Sequence, residues 1–193
     1  YQSDAIAFSS QGESSTSEGY VYEALNGASR EQLPVIFVIQ NNGYGISVPV
    51  SQQSANPRVS DNYRGLKNLE IINVDGTDFV DSHLGMQAAI NYVRSGQGPA
   101  LVHADCVRIG AHSNSDRQEL YRDEAEIETA RARDPLVRLR ADIIRAGHAN
   151  ESELELIEAR NEAEVNEAAE RAENAADPDP ATVLDFVWPE PWN

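Results

Sequence analysis

The order of apolar and polar segments predicts an α/β fold: a parallel sheet with flanking helices, followed by a helical C-terminal region. Three observations carry this. Short apolar runs alternate with stretches of helical periodicity, in the order strand, helix, strand, strand, helix, strand. One run, Val35-Ile36-Phe37-Val38-Ile39, is apolar without alternation, which suits a parallel strand covered on both faces. The charge is also uneven. Residues 1–100 carry 5 basic and 10 acidic side chains, whereas residues 101–193 carry 10 and 22. The sheet is therefore expected in residues 1–116, and an acidic helical region with a tail of the same domain in residues 117–193.

The elements follow in order. Residues 5–9 read as a strand through Ala5-Ile6-Ala7-Phe8, and Ser10 to Thr16 as a polar loop. Ser17-Glu18 opens a helix in which Val21, Ala24, Leu25 and Ala28 share one face. Pro34 precedes the strand at 35–39, and Asn41 to Val50 is a Gly-containing loop. Leu69 to Val74 is a strand closed by Asp75-Gly76, and Phe79 to Arg94 a helix. Ser95-Gly96-Gln97-Gly98-Pro99 ends that helix, and Ala100 to Val107 is a strand. From Arg117 the pattern is helical and rich in Glu and Arg, punctuated at Asp134-Pro135 and Gly147. Asp177-Pro178-Asp179-Pro180 closes the last helix, leaving a tail with Trp188 and Trp192.

Composition excludes several classes. With 15 basic and 32 acidic residues the formal charge is −17, the wrong sign for a general nucleic-acid or anionic-membrane binder. No apolar run is long enough to cross a bilayer. A single cysteine, Cys106, excludes an internal disulfide framework and suggests a reducing compartment. The chain runs into its first strand with no lead-in and no signal-peptide pattern, so it reads as starting inside a domain.

In an open parallel sheet, ligands bind beyond the C-terminal ends of the strands. Three polar loops should meet there: Ser10–Gly19, Asn41–Val50 and Arg108–Arg122. Gly12-Glu13-Ser14-Ser15 supplies a carboxylate and a helix start that favours an anion. It lacks the Gly-Lys-Ser/Thr ending of a P-loop. Asn41-Asn42-Gly43-Tyr44 offers amide and backbone carbonyls, hard oxygen ligands that suit Mg²⁺ or Ca²⁺. Glu13 and Asn42 end two successive strands joined by one helix, a topology able to bring them to one ion. Taken singly, each loop reads as an ordinary turn or helix cap. His83 and His103 read as structural, His148 as exposed, and Cys106 as a small buried hydrophobe. The acidic run from Glu151 to Glu173 reads as the wet face of a long helix.

Together the motifs carry a resemblance. Gly12-Glu13, then Ser17-Glu18-Gly19, then Asn41-Asn42-Gly43-Tyr44-Gly45-Ile46-Ser47 resembles the thiamine-diphosphate motif. The spacing is similar to that of the E1 α subunits of 2-oxo-acid dehydrogenase complexes. Arg108-Ile109-Gly110-Ala111-His112-Ser113-Asn114-Ser115-Asp116 resembles their phosphorylation loop, and Asp134-Pro135-Leu136 with the Glu-rich helix their C-terminal region. The resemblance spans nearly the whole chain. It implies a thiamine-diphosphate-binding fold, and thiamine diphosphate with Mg²⁺ as cofactors. Glu13 and Asn42 would ligate the metal through side chains and Tyr44 through its carbonyl. Gly12, Ser14 and Ser15 would approach the diphosphate, with Gly45 and Ile46 continuing that wall. His112 would be the catalytic loop histidine, between the diphosphate and an incoming lipoyl group, and Ser113 matches the serine phosphorylated in mitochondrial members.

Three positions depart from the pattern: Ser14 replaces the motif's second Gly, Gln40 an Arg found in some members, and Ala111 a second His common in the branched-chain type. The resemblance implies oxidative decarboxylation of a 2-oxo acid with acyl transfer to a lipoyl-bearing E2. The Arg108-Ile109-Gly110 context favours branched-chain substrates over pyruvate. It also implies an E1 β subunit or β region as partner, in an α2β2-like hetero-oligomer. The location expected is bacterial cytoplasm, with the mitochondrial matrix as the alternative. Read this way the chain is the C-terminal part of an α subunit or of an α–β fusion. Two rivals are a transketolase-type enzyme, which the His112-Ser113 loop disfavours, and a non-catalytic subunit-interaction module.

Overall fold

The computed structural model describes residues 4–185, so Trp188 and Trp192 lie outside the described residues. The described chain divides after Asp142 into two compact units. The first contains a four-stranded parallel sheet built from β1 (Ala7–Gly12), β2 (Val35–Asn41), β5 (Glu70–Asp75) and β6 (Ala100–Asp105). Its order is β1-β2-β6-β5. Helix α1 (Gly19–Glu31) links β1 to β2, and α2 (Phe79–Arg94) links β5 to β6. Parallel crossovers are right-handed, and these two step in opposite directions across the sheet, so their helices belong on opposite faces.

Side-chain alternation sorts accordingly. Phe37, Ile39 and Leu101 pack with Val21, Leu25 and Ala28 of α1, and with Val59 and Tyr63. Ile36, Val38, Val74, Val102 and Ala104 pack on the other side with Ala89 and Val93 of α2. Helix α2 comes close to the sheet because position 85 is glycine: a Cβ there would lie 2.3 Å from Val74 Cγ1. Asp78 caps α2, its side chain accepting from the backbone N–H groups of Val80 and Asp81. Helix α1 ends at Gln32, which adopts the left-handed conformation.

Strand registers align the C-terminal ends. Gly12 sits opposite Gln40, and Asp105 lies between Asn41 and Asp75. The sheet thus presents one polar row from which the three loops leave.

The predicted α/β class, the parallel sheet and the boundaries of α2 agree with the sequence reading. Several local details differ. β1 starts at Ala7 rather than Ala5 and runs on through Ser10 and Gln11 to Gly12, because it lies at the sheet edge and its mostly exposed positions tolerate polar residues. The strand predicted from Ala100 to Val107 stops at Asp105. The Asn41–Val50 loop contains a minimal antiparallel pair, β3 (Tyr44–Gly45) with β4 (Val48–Pro49), too short to leave a periodic signal.

Beyond the sheet come α3 (Glu124–Ala132), α4 (Pro135–Arg145) and α5 (Glu151–Glu173). Arg138 of α4 pairs with Asp75 and Asp78, and Arg133 with Asp75. Asp75, whose side chain also accepts from Thr77, is held below the usual carboxylate range, chiefly by that hydrogen bond and then by the two arginines. In the second unit, α5 opens with a reciprocal capping box between Asn150 and Glu153. Its Leu156, Ile157 and Val165 are exposed.

Candidate functional site

Two of the three loops close on Glu13. This residue leaves the end of β1 in a 3-10 turn, Glu13–Ser17, and its side chain is buried. Its Oε2 accepts from the backbone N–H of Asn42 at 3.2 Å, bridging 29 residues of sequence. Its Oε1 accepts from the Ser14 hydroxyl at 3.0 Å. No basic group forms an ion pair with Glu13 among the described residues. A buried carboxylate without a cation is costly, which makes it a natural ligand for one.

The Asn pair shapes the facing turn. Asn41 Oδ1 accepts from Gly43 N–H at 3.0 Å, and Asn42 Oδ1 from Tyr44 N–H at 3.1 Å. These are successive Asx turns, and Gly43 supplies the positive φ of 84° that lets the chain double back. A carbonyl oxygen has two lone pairs, so Asn42 Oδ1 keeps one for a further ligand. Gly45 is required by proximity: a Cβ would meet Ser14 Oγ at 2.2 Å. Ser14 itself is not among the residues with positive φ, so its replacement of a motif glycine carries no backbone strain. The Ser15 hydroxyl donates to the Gly12 carbonyl at 2.8 Å. Ile46 holds a φ of 58°, unfavourable for a β-branched residue. Its carbonyl accepts from Arg108 at 2.7 Å, which anchors the third loop to the second.

That anchor belongs to a cluster the sequence did not reveal. The Arg108 guanidinium lies 5.2 Å from the Tyr44 ring centre and 5.5 Å from that of Tyr121. Arg122, buried, lies 5.4 Å from the Tyr44 ring centre and pairs with Glu126 at 2.8 Å. Tyr44 OH donates to Glu126 at 2.9 Å, and Tyr121 OH to Asp116 at 2.6 Å. Burial, then the Glu126 hydrogen bond, raises the Tyr44 phenol, so it stays protonated as a donor. The Tyr121 hydrogen bond lowers Asp116. Stacked guanidinium and phenol groups give the base of the loop a fixed shape. Periodicity carries no sign of this, because the partners are scattered from residue 44 to residue 126.

His112 is not brought against Glu13 or Asn42. It sits on the exposed third loop, its backbone N–H donating to Asp116 at 2.8 Å. Cys106 is partly buried, and its thiol is raised by burial and by the nearby Asp105, Asp75 and Glu13 charges. It is therefore a neutral thiol, as a small hydrophobe would be. His103 is buried completely beneath the site and touches Asn41 and Asp105. Burial lowers its pKa and Asp105 opposes the shift in part, so the ring is neutral near pH 7.

The donor set fits a hard divalent cation bound with an anionic ligand. It offers one carboxylate, an amide oxygen and backbone carbonyls, and no group of three His, Cys, Asp or Glu side chains suited to a metal occurs among the described residues. Such a half-shell leaves positions for oxygens of the ligand itself. Fold and site together define an open parallel α/β protein with a polar ligand site at its strand ends.

The comparisons make this specific. The family model described as "Dehydrogenase E1 component" matches residues 1–181, and the chain belongs to that family. It is 34% identical over 185 residues to the 2-oxoisovalerate dehydrogenase subunit alpha of Bacillus subtilis, covering 96% of this chain and 56% of that protein. Against the pyruvate dehydrogenase E1 component subunit alpha of Rickettsia conorii, identity is 34% over 188 residues, with 95% and 56% covered. Against the human testis-specific mitochondrial pyruvate dehydrogenase E1 alpha, it is 33% over 178 residues, with 92% and 45% covered. The chain spans about half the length of the curated relatives it matches. Among the described residues no helix is long and apolar enough to cross a membrane.

Proposed function

We propose that this chain forms the metal and diphosphate end of a thiamine-diphosphate site in an E1 α subunit or α region, acting on a 2-oxo acid and passing the acyl group to a lipoyl-bearing E2. The single observation that carries the reading is the Glu13–Asn42 contact, which joins the ends of two adjacent parallel strands around an unpaired buried carboxylate. When bound, thiamine diphosphate supplies the electron sink for decarboxylation. The chain's own residues hold it. Glu13 and Asn42, with the Tyr44 carbonyl, ligate Mg²⁺. Backbone of Gly12, Ser14 and Ser15 lies along the diphosphate, and Gly45 and Ile46 continue the wall.

Arg108, through its bond to the Ile46 carbonyl, positions the loop that carries His112. His112 is assigned the exchange of a proton with the acyl acceptor, on the resemblance of its loop to the family's lipoyl-facing segment. The remaining half of the site, including the groups that hold the aminopyrimidine, comes from sequence outside this chain and from a β subunit or β region. The favoured substrates are branched-chain 2-oxo acids, on the Arg108-Ile109-Gly110 context. Pyruvate is the second reading, supported by relatives of both kinds at 34% identity.

The test is release of CO₂ by the complete E1 assembly containing this chain, supplied in turn with 3-methyl-2-oxobutanoate and pyruvate. Faster turnover of the former supports the branched-chain reading. Faster turnover of pyruvate replaces it, and turnover of neither removes the enzymatic reading.

A further inference from the structure

A chain of polar groups runs beneath the Asn41–Gly43 turn and meets the cofactor residues named above through the backbone of that turn. Arg58 donates to Asp105 Oδ2 at 2.9 Å. Asp105 Oδ1 lies 3.1 Å from His103 Nε2, and the same nitrogen lies 3.2 Å from Asn41 Nδ2. Asn41 Oδ1 in turn accepts from Gly43 N–H at 3.0 Å. The other ring nitrogen, Nδ1, is buried with no partner among the described residues.

The proton inventory constrains this chain. Gly43 N–H needs the oxygen of Asn41, so the Asn41 amide nitrogen is the group that faces His103. An amide nitrogen only donates. Nε2 must therefore offer its lone pair to serve Asn41, which puts the ring proton on Nδ1. Asp105 pulls the other way, because its carboxylate is satisfied by a proton on Nε2. Arg58 draws on the same carboxylate through its second oxygen and weakens that demand. His103 is thus the contested link between the sheet and the turn that carries Asn42.

We propose that His103 is a positioning residue for the cofactor site: by accepting from Asn41 it keeps the Asn41–Gly43 turn, and Asn42 with it, facing Glu13. The proposal rests on the cofactor reading above. It asks for something a core filler would not, namely a lone pair at one place in a buried strand. Buried Ile39 lies opposite His103 on one neighbouring strand and Asn73 on the other, with buried Leu101 two residues before it.

The experiment is calorimetric affinity for thiamine diphosphate with Mg²⁺ in the complete E1 assembly, with thermal melting measured without cofactor. His103→Leu removes the acceptor and keeps an apolar side chain. His103→Gln returns a carbonyl oxygen to the place of Nε2. Losing one net hydrogen bond predicts about tenfold weaker affinity for the Leu variant, and about threefold or less for Gln. The melting temperature without cofactor should change little for Leu, since loss of the Nε2 contacts is offset by removal of an unpartnered buried nitrogen.

Leu affinity equal to wild type would overturn the proposal. So would equal losses for Leu and Gln accompanied by lower melting temperatures, the mark of packing damage alone. Should His103→Leu not fold, Asn41→Ala removes the adjoining link, and the same loss supports the proposal while unchanged affinity overturns it. Glu13→Ala serves as the control. If wild type itself fails to bind, the cofactor reading falls and this proposal with it. If wild type binds and only Glu13→Ala weakens, this proposal alone falls.

Discussion

At the scale of residues, burial separates the proposed metal ligand from the proposed catalytic histidine. Glu13 is buried and bonded to Asn42, whereas His112 is exposed, its backbone N–H donating to Asp116. A loop histidine of this kind can be removed without disturbing the core. We expect His112→Ala to leave the melting temperature unchanged and to slow acyl transfer to lipoyl more than decarboxylation, measured separately by single-turnover CO₂ release and by lipoyl acylation. Equal loss of both steps through weaker cofactor binding would move His112 to a purely binding role. The pairing of Glu13 with Asn42 was legible from spacing, since two carboxylate- and amide-bearing loops follow strands joined by one helix. The part played by His103 was not. A lone histidine within Ala100-Leu101-Val102-His103-Ala104 looks like any buried strand residue, and its partners Asn41, Asp105 and Arg58 come together only through register and a distant loop.

At the scale of elements, the sheet was readable where burial forces a pattern. Val35–Ile39 must be apolar on both faces, and α2 carries a capping Asp78 and a Gly-rich stop at Gly96-Gln97-Gly98. The end of β1 was obscured because an edge strand has little burial to encode, and β3 with β4 because two-residue strands have no period. The closeness of α2 to the sheet gives a test of packing. Gly85→Ala would gain up to about 1 kcal/mol of helix propensity. It would also force a methyl against Val74 Cγ1, and overpacking of this kind costs about 1–3 kcal/mol. The clash should win, so the urea midpoint should fall in Gly85→Ala and recover in part in the Gly85→Ala, Val74→Ala double variant. A raised midpoint in the single variant would contradict the close approach.

At the scale of the whole molecule, charge dominates. A net charge of −17 with only one lysine, Lys67, leaves carboxylates across the surface, most densely along α5. Their mutual repulsion opposes compactness and is screened by salt. Raising KCl from about 0.1 M to about 1 M shortens the screening length from roughly 10 Å to roughly 3 Å, and the melting temperature should rise with it. A falling melting temperature would show that ion pairs such as Arg138 with Asp75 and Asp78 outweigh the repulsion. The Glu13–Asn42 contact, which joins two strands at the polar edge of the sheet, is where the proposed cofactor site stands or falls. Calorimetry of thiamine diphosphate with Mg²⁺ on the complete E1 assembly, wild type against Glu13→Ala and Glu13→Asp, tests it most directly. With Glu13 as the proposed anionic ligand of a hard dication, the Ala variant should lose measurable Mg²⁺-dependent affinity while the Asp variant keeps part of it. Equal affinity in wild type and Glu13→Ala would contradict the account.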